Sequence, residues 1–174
     1  MTPFPRPLLG FAAWSGTGKT TLLERLIPRL GGEGLRIAAI KMSHHDIELD
    51  RPGKDSYRLR RAGADQMVLT SPWRSVTIRE HRPPREPTLE GALSEIDVDG
   101  CDLVLVEGFR HHPFPKIELH REALGRPWLF PEDPSIIALA CDRPPDDPRG
   151  RPVMALDDLE AITRFIVDLV RCGV

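Results

Sequence analysis

The hydrophobic positions of the chain fall into short continuous runs separated by longer polar or mixed stretches. Short apolar runs with turn signals on either side are typical of strands buried on both faces of a sheet. Residues 66–70 and 75–79 predict two further strands, and the alternation of apolar and polar residues over 116–120 predicts a half-exposed strand. The runs that predict buried strands are residues 8–13, 35–40, 103–106 and 136–140.

Three other segments indicate helices. The first begins at Lys19 and ends at Gly31-Gly32, and Pro28 should perturb its last turn. The residues Asp157-Asp158-Leu159-Glu160 resemble a capping box that opens the last helix, which has a continuous apolar face. The predicted helices are residues 19–30, 55–62 and 157–172.

Strands that alternate with helices in this way predict an α/β fold. We expect a largely parallel sheet with helices on both faces and some antiparallel edge strands. The chain has 174 residues and shows neither an internal repeat nor a composition shift that marks a linker. A single nucleotide-binding domain over residues 1–174 is therefore the expected organisation.

Residues 13–20 match the phosphate-loop pattern G-x-x-x-x-G-K-[ST] at every fixed position but the first, where Ala13 replaces glycine. A buried strand precedes them and an amphipathic helix follows, which is the context of a P-loop NTPase. Gly16 and Gly18 allow the backbone to turn its N–H groups toward phosphate oxygens. A glycine-rich turn without a ligand is the alternative reading, and the flanking elements argue against it.

Each residue of the phosphate loop has an expected role. Lys19 should reach the β- and γ-phosphates of a nucleotide, and the Thr20 hydroxyl should bind Mg²⁺. Thr21 is placed to contact the α-phosphate. The predicted phosphate-binding residues are Ser15, Gly16, Thr17, Gly18, Lys19, Thr20 and Thr21.

A second acidic group is expected beside the metal. Asp102 and Glu107 flank the predicted strand 103–106, roughly 16 Å apart, so they cannot both reach one ion. Ligands of parallel sheets gather at the carboxyl ends of the strands. We therefore predict that Glu107 is a metal ligand and, with Lys19, a catalytic residue, and that Asp102 is a strand-entry residue.

Other acidic residues follow predicted strands. Asp46 or Asp50 is placed to hold the metal or to orient an attacking water. Asp142 follows the strand that ends at Ala140, where a carboxylate would accept hydrogen bonds from N1–H and the exocyclic amine of guanine. An aspartate beside a proline-rich loop is also an ordinary turn residue, so both readings of Asp142 stay open.

Composition argues against nucleic-acid binding, membrane insertion and a zinc site. The net charge of −2 argues against binding of nucleic acid by bulk electrostatics, and no apolar run approaches the length of a membrane span. Of the 24 basic residues only four are lysines, which either reflects the composition of the source genome or indicates that lysine is kept where a compact point charge is needed. The three cysteines are far apart, which favours buried thiols in a reducing cytoplasm. The pairs His44-His45 and His111-His112 lack the spacing of a zinc site.

Five blocks of sequence together resemble one family, the molybdopterin-guanine dinucleotide biosynthesis adaptor protein B (MobB) family. The resemblance runs from residue 8 to about residue 142, and Met42 stands where the family is expected to have histidine. The blocks are Ala-Ala-Trp-Ser-Gly-Thr-Gly-Lys-Thr-Thr-Leu-Leu (12–23), Ile-Lys-Met-Ser-His-His-Asp (40–46), Asp-Arg-Pro-Gly-Lys-Asp-Ser-Tyr (50–57), Ala-Gly-Ala (62–64) and Leu-Val-Leu-Val-Glu-Gly-Phe (103–109).

The resemblance implies a cytoplasmic, homodimeric GTP-binding protein with weak GTPase activity and Mg²⁺ as its metal. Such a protein would assist the guanylyltransferase that joins GMP to molybdopterin, and the enzyme that inserts molybdenum. The resemblance also makes Asp50, Lys54 and Asp55 candidates for contacts with the ligand or a partner, although Asp55 is equally suited to cap a helix. A small-molecule kinase or ATP-dependent ligase on the same sheet, and a metal-delivery NTPase, are the alternative functions.

Overall fold

A computed structural model describes residues 4–43 and 45–172 of the chain. They form two compact units, Met1–Met42 with Thr88–Val174, and Ser43–Pro87. The single domain expected over residues 1–174 stays a prediction. No helix in the described part of the chain combines the length and apolarity needed to span a membrane.

The first unit is built on a six-stranded parallel sheet. Its strands are β1 (Leu8–Ala13), β2 (Ile37–Lys41), β5 (Leu103–Glu107), β6 (Lys116–His120), β7 (Ile136–Cys141) and β8 (Val153–Ala155), in the order β2-β5-β1-β6-β7-β8. Its helices are α1 (Lys19–Gly32), α3 (Leu89–Leu93), α4 (Leu159–Cys172) and a 3₁₀ turn (Glu122–Leu124).

Helices cover both faces of this sheet, as predicted. Successive residues of a strand point to opposite faces, and β5 shows the division. Leu103 and Leu105 pack in the cluster that contains the buried side chains of α1 and α4. Val104 and Val106 pack in a second cluster with Leu89 of α3. The α/β prediction is confirmed, and α1 continues through Pro28 to Gly32.

The amino ends of β2 and β5 are joined by an ion pair. Arg36 donates from its backbone N–H and from its guanidinium to the Asp102 carboxylate, at 2.7–3.0 Å. These hydrogen bonds, more than the charge alone, lower the pKa of Asp102 to about 2. Asp102 is thus a strand-entry residue, as the sequence predicts.

The prediction of a half-exposed β6 is wrong, because all five of its residues are buried. Ile117 and Leu119 face the main core, and the polar residues Lys116, Glu118 and His120 point to the opposite face. The connection 121–135 covers that face and supplies polar partners. Alternation therefore marks a strand between an apolar layer and a polar buried layer, not a strand beside solvent.

The connection 121–135 supplies hydrogen-bond donors to the buried carboxylate of Glu118. Its two carboxylate oxygens accept hydrogen bonds from the N–H groups of Leu129 and Phe130, both at 2.8 Å. Burial raises the pKa of Glu118, and the two donors offset part of that rise. His120 stacks on Trp128, with ring centroids 3.8 Å apart.

The second unit contains α2 (Asp55–Arg61) and an antiparallel hairpin of β3 (Gln66–Thr70) and β4 (Ser75–Arg79). The antiparallel strands therefore form a sheet of their own. Arg60 is buried and organises this unit. Its guanidinium lies 2.6 Å from Glu48, 2.8 Å from Glu80 and 3.7 Å from Asp50, so one cation joins the loop before α2 to the residue after β4.

Candidate nucleotide-binding site

The turn between β1 and α1 has the conformation that a phosphate loop requires. Gly16 and Gly18 have φ angles of 84° and 95°, in the left-handed region that glycine adopts without steric cost. Thr17 between them is buried, and its hydroxyl donates to the Trp14 carbonyl at 2.7 Å. The first helical hydrogen bond, from Leu22 N–H to the Gly18 carbonyl, is 2.9 Å long. The sequence prediction of a strand–loop–helix unit is thereby confirmed.

The amino end of α1 is suited to an anion. Its first turn contains no acidic side chain that would occupy the positive end of the helix dipole. Lys19 begins the helix with a partly exposed side chain, and Thr20 and Thr21 follow as exposed residues. The hydroxyl and ammonium groups expected to meet phosphate and metal thus stand at one helix end.

Glu107 ends β5, the strand beside β1. Its Oε1 lies 2.5 Å from Lys41 Nζ and 3.5 Å from Lys19 Nζ. Partial burial raises the pKa of Glu107, but the hydrogen bond from Lys41 and the two lysine charges outweigh burial, so its pKa lies below the ordinary value. The structure therefore brings Glu107 to the phosphate loop and keeps it ionised.

Lys41 contacts Glu107, and the sequence did not place Lys41 among the predicted ligand contacts. It ends β2 and is the direct register partner of Glu107 on β5. Two strands that end at the same edge bring their last side chains together, and that placement was the available signal. The register itself, on which the contact depends, is not visible in the sequence.

The turn after Glu107 is tight. Gly108 and the following Phe109 have positive φ angles of 109° and 49°, and a Cβ at Gly108 would lie 2.6 Å from the Met42 Cβ. The Met42 N–H also donates to the Glu107 carbonyl at 2.9 Å. Met42, the position where the family is expected to have histidine, therefore contacts the backbone of the Glu107-Gly108 turn.

Asp142 follows β7, two strands from β1 and roughly 10 Å across the sheet. One of its oxygens accepts a hydrogen bond from the Glu122 N–H at 2.9 Å, and the side chain remains exposed. A cavity of about 400 Å³ lies between the connections 121–135 and 142–152, and it is lined by the next residue, Arg143, and not by Asp142 itself. Glu122, Trp128 and Arg143 are among the residues that line this cavity.

Asp50 and Lys54 belong to the second unit. Asp50 accepts hydrogen bonds from the Ser56 hydroxyl and the Arg51 N–H, both at 3.0 Å, and lies near Arg60. Lys54 precedes α2, and its side chain is exposed. Their predicted roles as ligand contacts stay predictions, and so does the alternative role of Asp46.

The two histidine pairs are widely separated in the sequence. His44 lies outside the described residues, and His45 is exposed. His111 accepts a hydrogen bond from Arg110, and His112 packs edge-on against Phe109. Within residues 4–43 and 45–172, no group of three or more histidine, cysteine, aspartate or glutamate side chains is arranged to hold a metal.

Comparison with known proteins places this site in context. The family model described as molybdopterin guanine dinucleotide synthesis protein B matches residues 8–142. The chain is 44% identical over 163 residues to the molybdopterin-guanine dinucleotide biosynthesis adapter protein of Escherichia coli (strain K12), covering 93% of this chain and 92% of that protein. It is 43% identical over 139 residues to the protein of the same name in Haemophilus influenzae, covering 79% and 76%.

The fold is likewise similar to a solved structure. The crystal structure of molybdopterin-guanine biosynthesis protein B superimposes with a TM-score of 0.70 and 28% sequence identity. The superposition covers 94% of this chain and 99% of that one. The likeness therefore extends beyond the phosphate loop to nearly the whole chain.

Proposed function

Because this chain belongs to the molybdopterin guanine dinucleotide synthesis protein B family, we propose that it is an adapter protein of molybdopterin guanine dinucleotide biosynthesis that binds GTP and hydrolyses it slowly. The observation that carries nucleotide binding is the phosphate loop beside Glu107. Lys19 Nζ lies 3.5 Å from Glu107 Oε1, at the carboxyl edge of the sheet. A cation, a carboxylate and a helix amino end are the groups that a nucleoside triphosphate requires there.

The donor set also suits Mg²⁺. Thr20 and Glu107 offer a hydroxyl and a carboxylate, and Mg²⁺ is commonly held by one or two protein oxygens together with phosphate oxygens. When bound, Mg²⁺ would neutralise charge on the β- and γ-phosphates. Lys19 would bind the same phosphates, while the loop N–H groups orient them.

Slow hydrolysis is supported by the surroundings of Glu107. Its carboxylate already accepts a hydrogen bond from Lys41 and faces Lys19, which leaves it poorly placed to take a proton from water. Among the described residues, Glu107 is the one carboxylate ion-paired with Lys19. We propose that the main output of nucleotide binding is protein association, as in an adapter.

Recognition of guanine is assigned to Asp142. Its position at the end of β7 places a carboxylate at the same sheet edge as the phosphate loop. The Glu122 N–H donates to one oxygen, which fixes the orientation of the carboxylate and leaves the second oxygen and the remaining lone pair of the first for the two donors of a ligand. A fixed carboxylate can accept from the N1–H and amine of guanine, and adenine offers no such pair of donors on that edge.

Titration with nucleotides tests this function. We expect GTP to bind more tightly than ATP in the presence of Mg²⁺, and Asp142→Asn to weaken GTP binding roughly tenfold or more, because a charge-assisted hydrogen bond is lost. Isothermal titration calorimetry measures both. Asp168→Asn on α4, with the same change of charge, serves as the control. Tighter binding of ATP, or turnover of ~1–100 s⁻¹ with a small acceptor, would instead indicate a kinase.

The adapter role is tested separately. We expect the chain to co-purify as a homodimer with the guanylyltransferase that attaches GMP to molybdopterin, and to associate with the molybdenum-insertion enzyme. Affinity capture with and without GTP measures this directly. If neither enzyme is recovered, whether GTP is present or absent, the adapter role is contradicted while nucleotide binding is unaffected.

A further inference from the structure

Arg121 lies beside the phosphate loop although it belongs to a different part of the chain. It follows β6 directly, and β6 is the neighbour of β1, with Leu119 opposite Ala13 in register. Its Nε donates a hydrogen bond to the Thr17 carbonyl at 2.8 Å. Its Nη2 lies 3.7 Å from the position that a Cβ on Gly18 would occupy. The guanidinium therefore borders the glycines that shape the loop.

The chain around Arg121 is fixed in this place. The next N–H, of Glu122, donates to Asp142, and a 3₁₀ turn begins there. Farther along, the Trp14 indole of the phosphate loop donates to the Pro127 carbonyl at 2.8 Å. The segment that carries Arg121 is thus attached to the loop at Trp14 and at Thr17, so the guanidinium is held in position before any ligand arrives.

The remaining nitrogens of Arg121 are available for an anion. In the described part of the chain, Nη1 and Nη2 hydrogen-bond to no protein atom, and the side chain is exposed. Two terminal nitrogens in one plane match the oxygens of a phosphate. Glu107 ends β5, on the opposite side of β1, so the guanidinium stands away from the carboxylate and the metal side of the site.

We propose that Arg121 is a phosphate-binding residue outside the phosphate loop, directed at the α- and β-phosphates that GDP and GTP share. This inference rests on the proposed nucleotide binding and extends it to a second fixed cation. Lys19 and Glu107 act on the side of the γ-phosphate and metal, and Arg121 acts on the side of β6. The hydrogen bond from Arg121 Nε to the Thr17 carbonyl aligns the guanidinium, while its two terminal nitrogens bind the ligand.

Substitution of Arg121 with glutamine tests the proposal. The neutral amide can still donate to the Thr17 carbonyl but carries no charge. We expect Arg121→Gln to weaken binding of GDP, GTP and inorganic pyrophosphate by similar factors, roughly ten- to a hundredfold, the range of a lost charge-assisted contact. Calorimetry, with competition against GDP for pyrophosphate, measures the three affinities. Arg164→Gln on the exposed face of α4 has the same charge change and should bind as the unaltered protein does.

The dependence of affinity on salt distinguishes a phosphate contact of Arg121 from a purely structural role. A direct contact between a cation and phosphate weakens with salt, so Arg121→Gln should show a shallower dependence of affinity on KCl concentration. Arg121→Lys, which keeps the charge without the fork, should recover part of the affinity. An unchanged salt dependence, equal affinities in Arg121→Gln and the unaltered protein, or a loss confined to GTP would each overturn the proposal. Failure of the unaltered protein to bind any of the three ligands would instead overturn nucleotide binding itself.

Discussion

Substitution of Lys19 with alanine is expected to abolish measurable nucleotide binding. The Lys19 ammonium is the cation at the start of α1, and it lies 3.5 Å from the carboxylate of Glu107. Removing the ammonium deletes the expected contacts with the β- and γ-phosphates. It also leaves the negative charge of Glu107 without the Lys19 cation that would otherwise reduce its repulsion of the phosphates. Two charge-assisted hydrogen bonds at ~1.5–3 kcal/mol each correspond to a loss of roughly a hundredfold or more in affinity. Calorimetric titration with GTP and Mg²⁺ measures the loss.

Two comparisons make this result specific. The Lys19 side chain is partly exposed and pairs with no described residue besides Glu107, so Lys19→Ala should keep the circular dichroism spectrum and unfolding midpoint of the unaltered protein. Lys19→Arg keeps the charge but brings a wide planar group to a tight loop, and it should also bind poorly. Retention of full GTP affinity in Lys19→Ala would refute the assignment of residues 13–20 as a phosphate loop.

Substitution of Lys116 with methionine should give the largest loss of stability. Lys116 is 2% exposed, and its ammonium donates to the His112 carbonyl, to Asp133 and to Ser135. Three donors meet three acceptors, so the ammonium is saturated. Lys116→Met keeps the aliphatic stem and removes the donor to the His112 carbonyl and to the Asp133 Oδ2, while Asp133 Oδ1 keeps its hydrogen bonds from Ser135. We expect a loss of about 3 kcal/mol, the lower end for a broken buried pair because Asp133 is partly exposed, and a midpoint lower by roughly 6–12 °C.

Ser135→Ala is the matched control for this experiment. It removes one acceptor of the ammonium and one donor to Asp133 but leaves the ion pair of Lys116 with Asp133 in place, so its cost should be about 1–2 kcal/mol. Urea denaturation of both variants separates the two effects. Equal stability of Lys116→Met and the unaltered protein would show that the buried ammonium contributes nothing net to the fold.

Much of the first unit could be predicted from the sequence because its signals are local. The strand 8–13, the loop 13–20 and the helix that begins at Lys19 follow one another without a gap, and each has its own pattern. The position of Glu107 at the carboxyl end of β5 follows from the same reasoning, since a buried run ends in a carboxylate, and its role as a metal ligand stays a prediction. Short elements such as α3 and β8 lack enough residues to establish a period, and they were missed.

Contacts between distant segments could not be predicted. Lys41 meets Glu107 through strand register, and Arg121 meets Thr17 across the chain, so no sequence spacing reveals either contact. The alternation of β6 predicts exposure because a polar residue in a strand usually faces water. The connection 121–135, whose sequence predicts neither helix nor strand, reverses that expectation by burying the polar face.

The role of Lys116 also depends on contacts that the sequence does not reveal. Three of the four lysines fall in blocks associated with the predicted ligand site, and Lys116 had no role that the sequence supported. The structure gives it one as the central donor of a buried polar cluster. A compact ammonium with three rotatable donors suits this position better than a planar guanidinium does.

The pairing of Glu118 with the N–H groups of Leu129 and Phe130 also affects how this region exchanges hydrogen with solvent. These two amides lie outside any helix or strand, yet their acceptor is fully buried. Their protons can exchange only when the connection 121–135 lifts from β6, so their rates report the free energy of that opening. An irregular segment thus shields one face of the sheet from solvent exchange, as the helices α1 and α4 shield the other face.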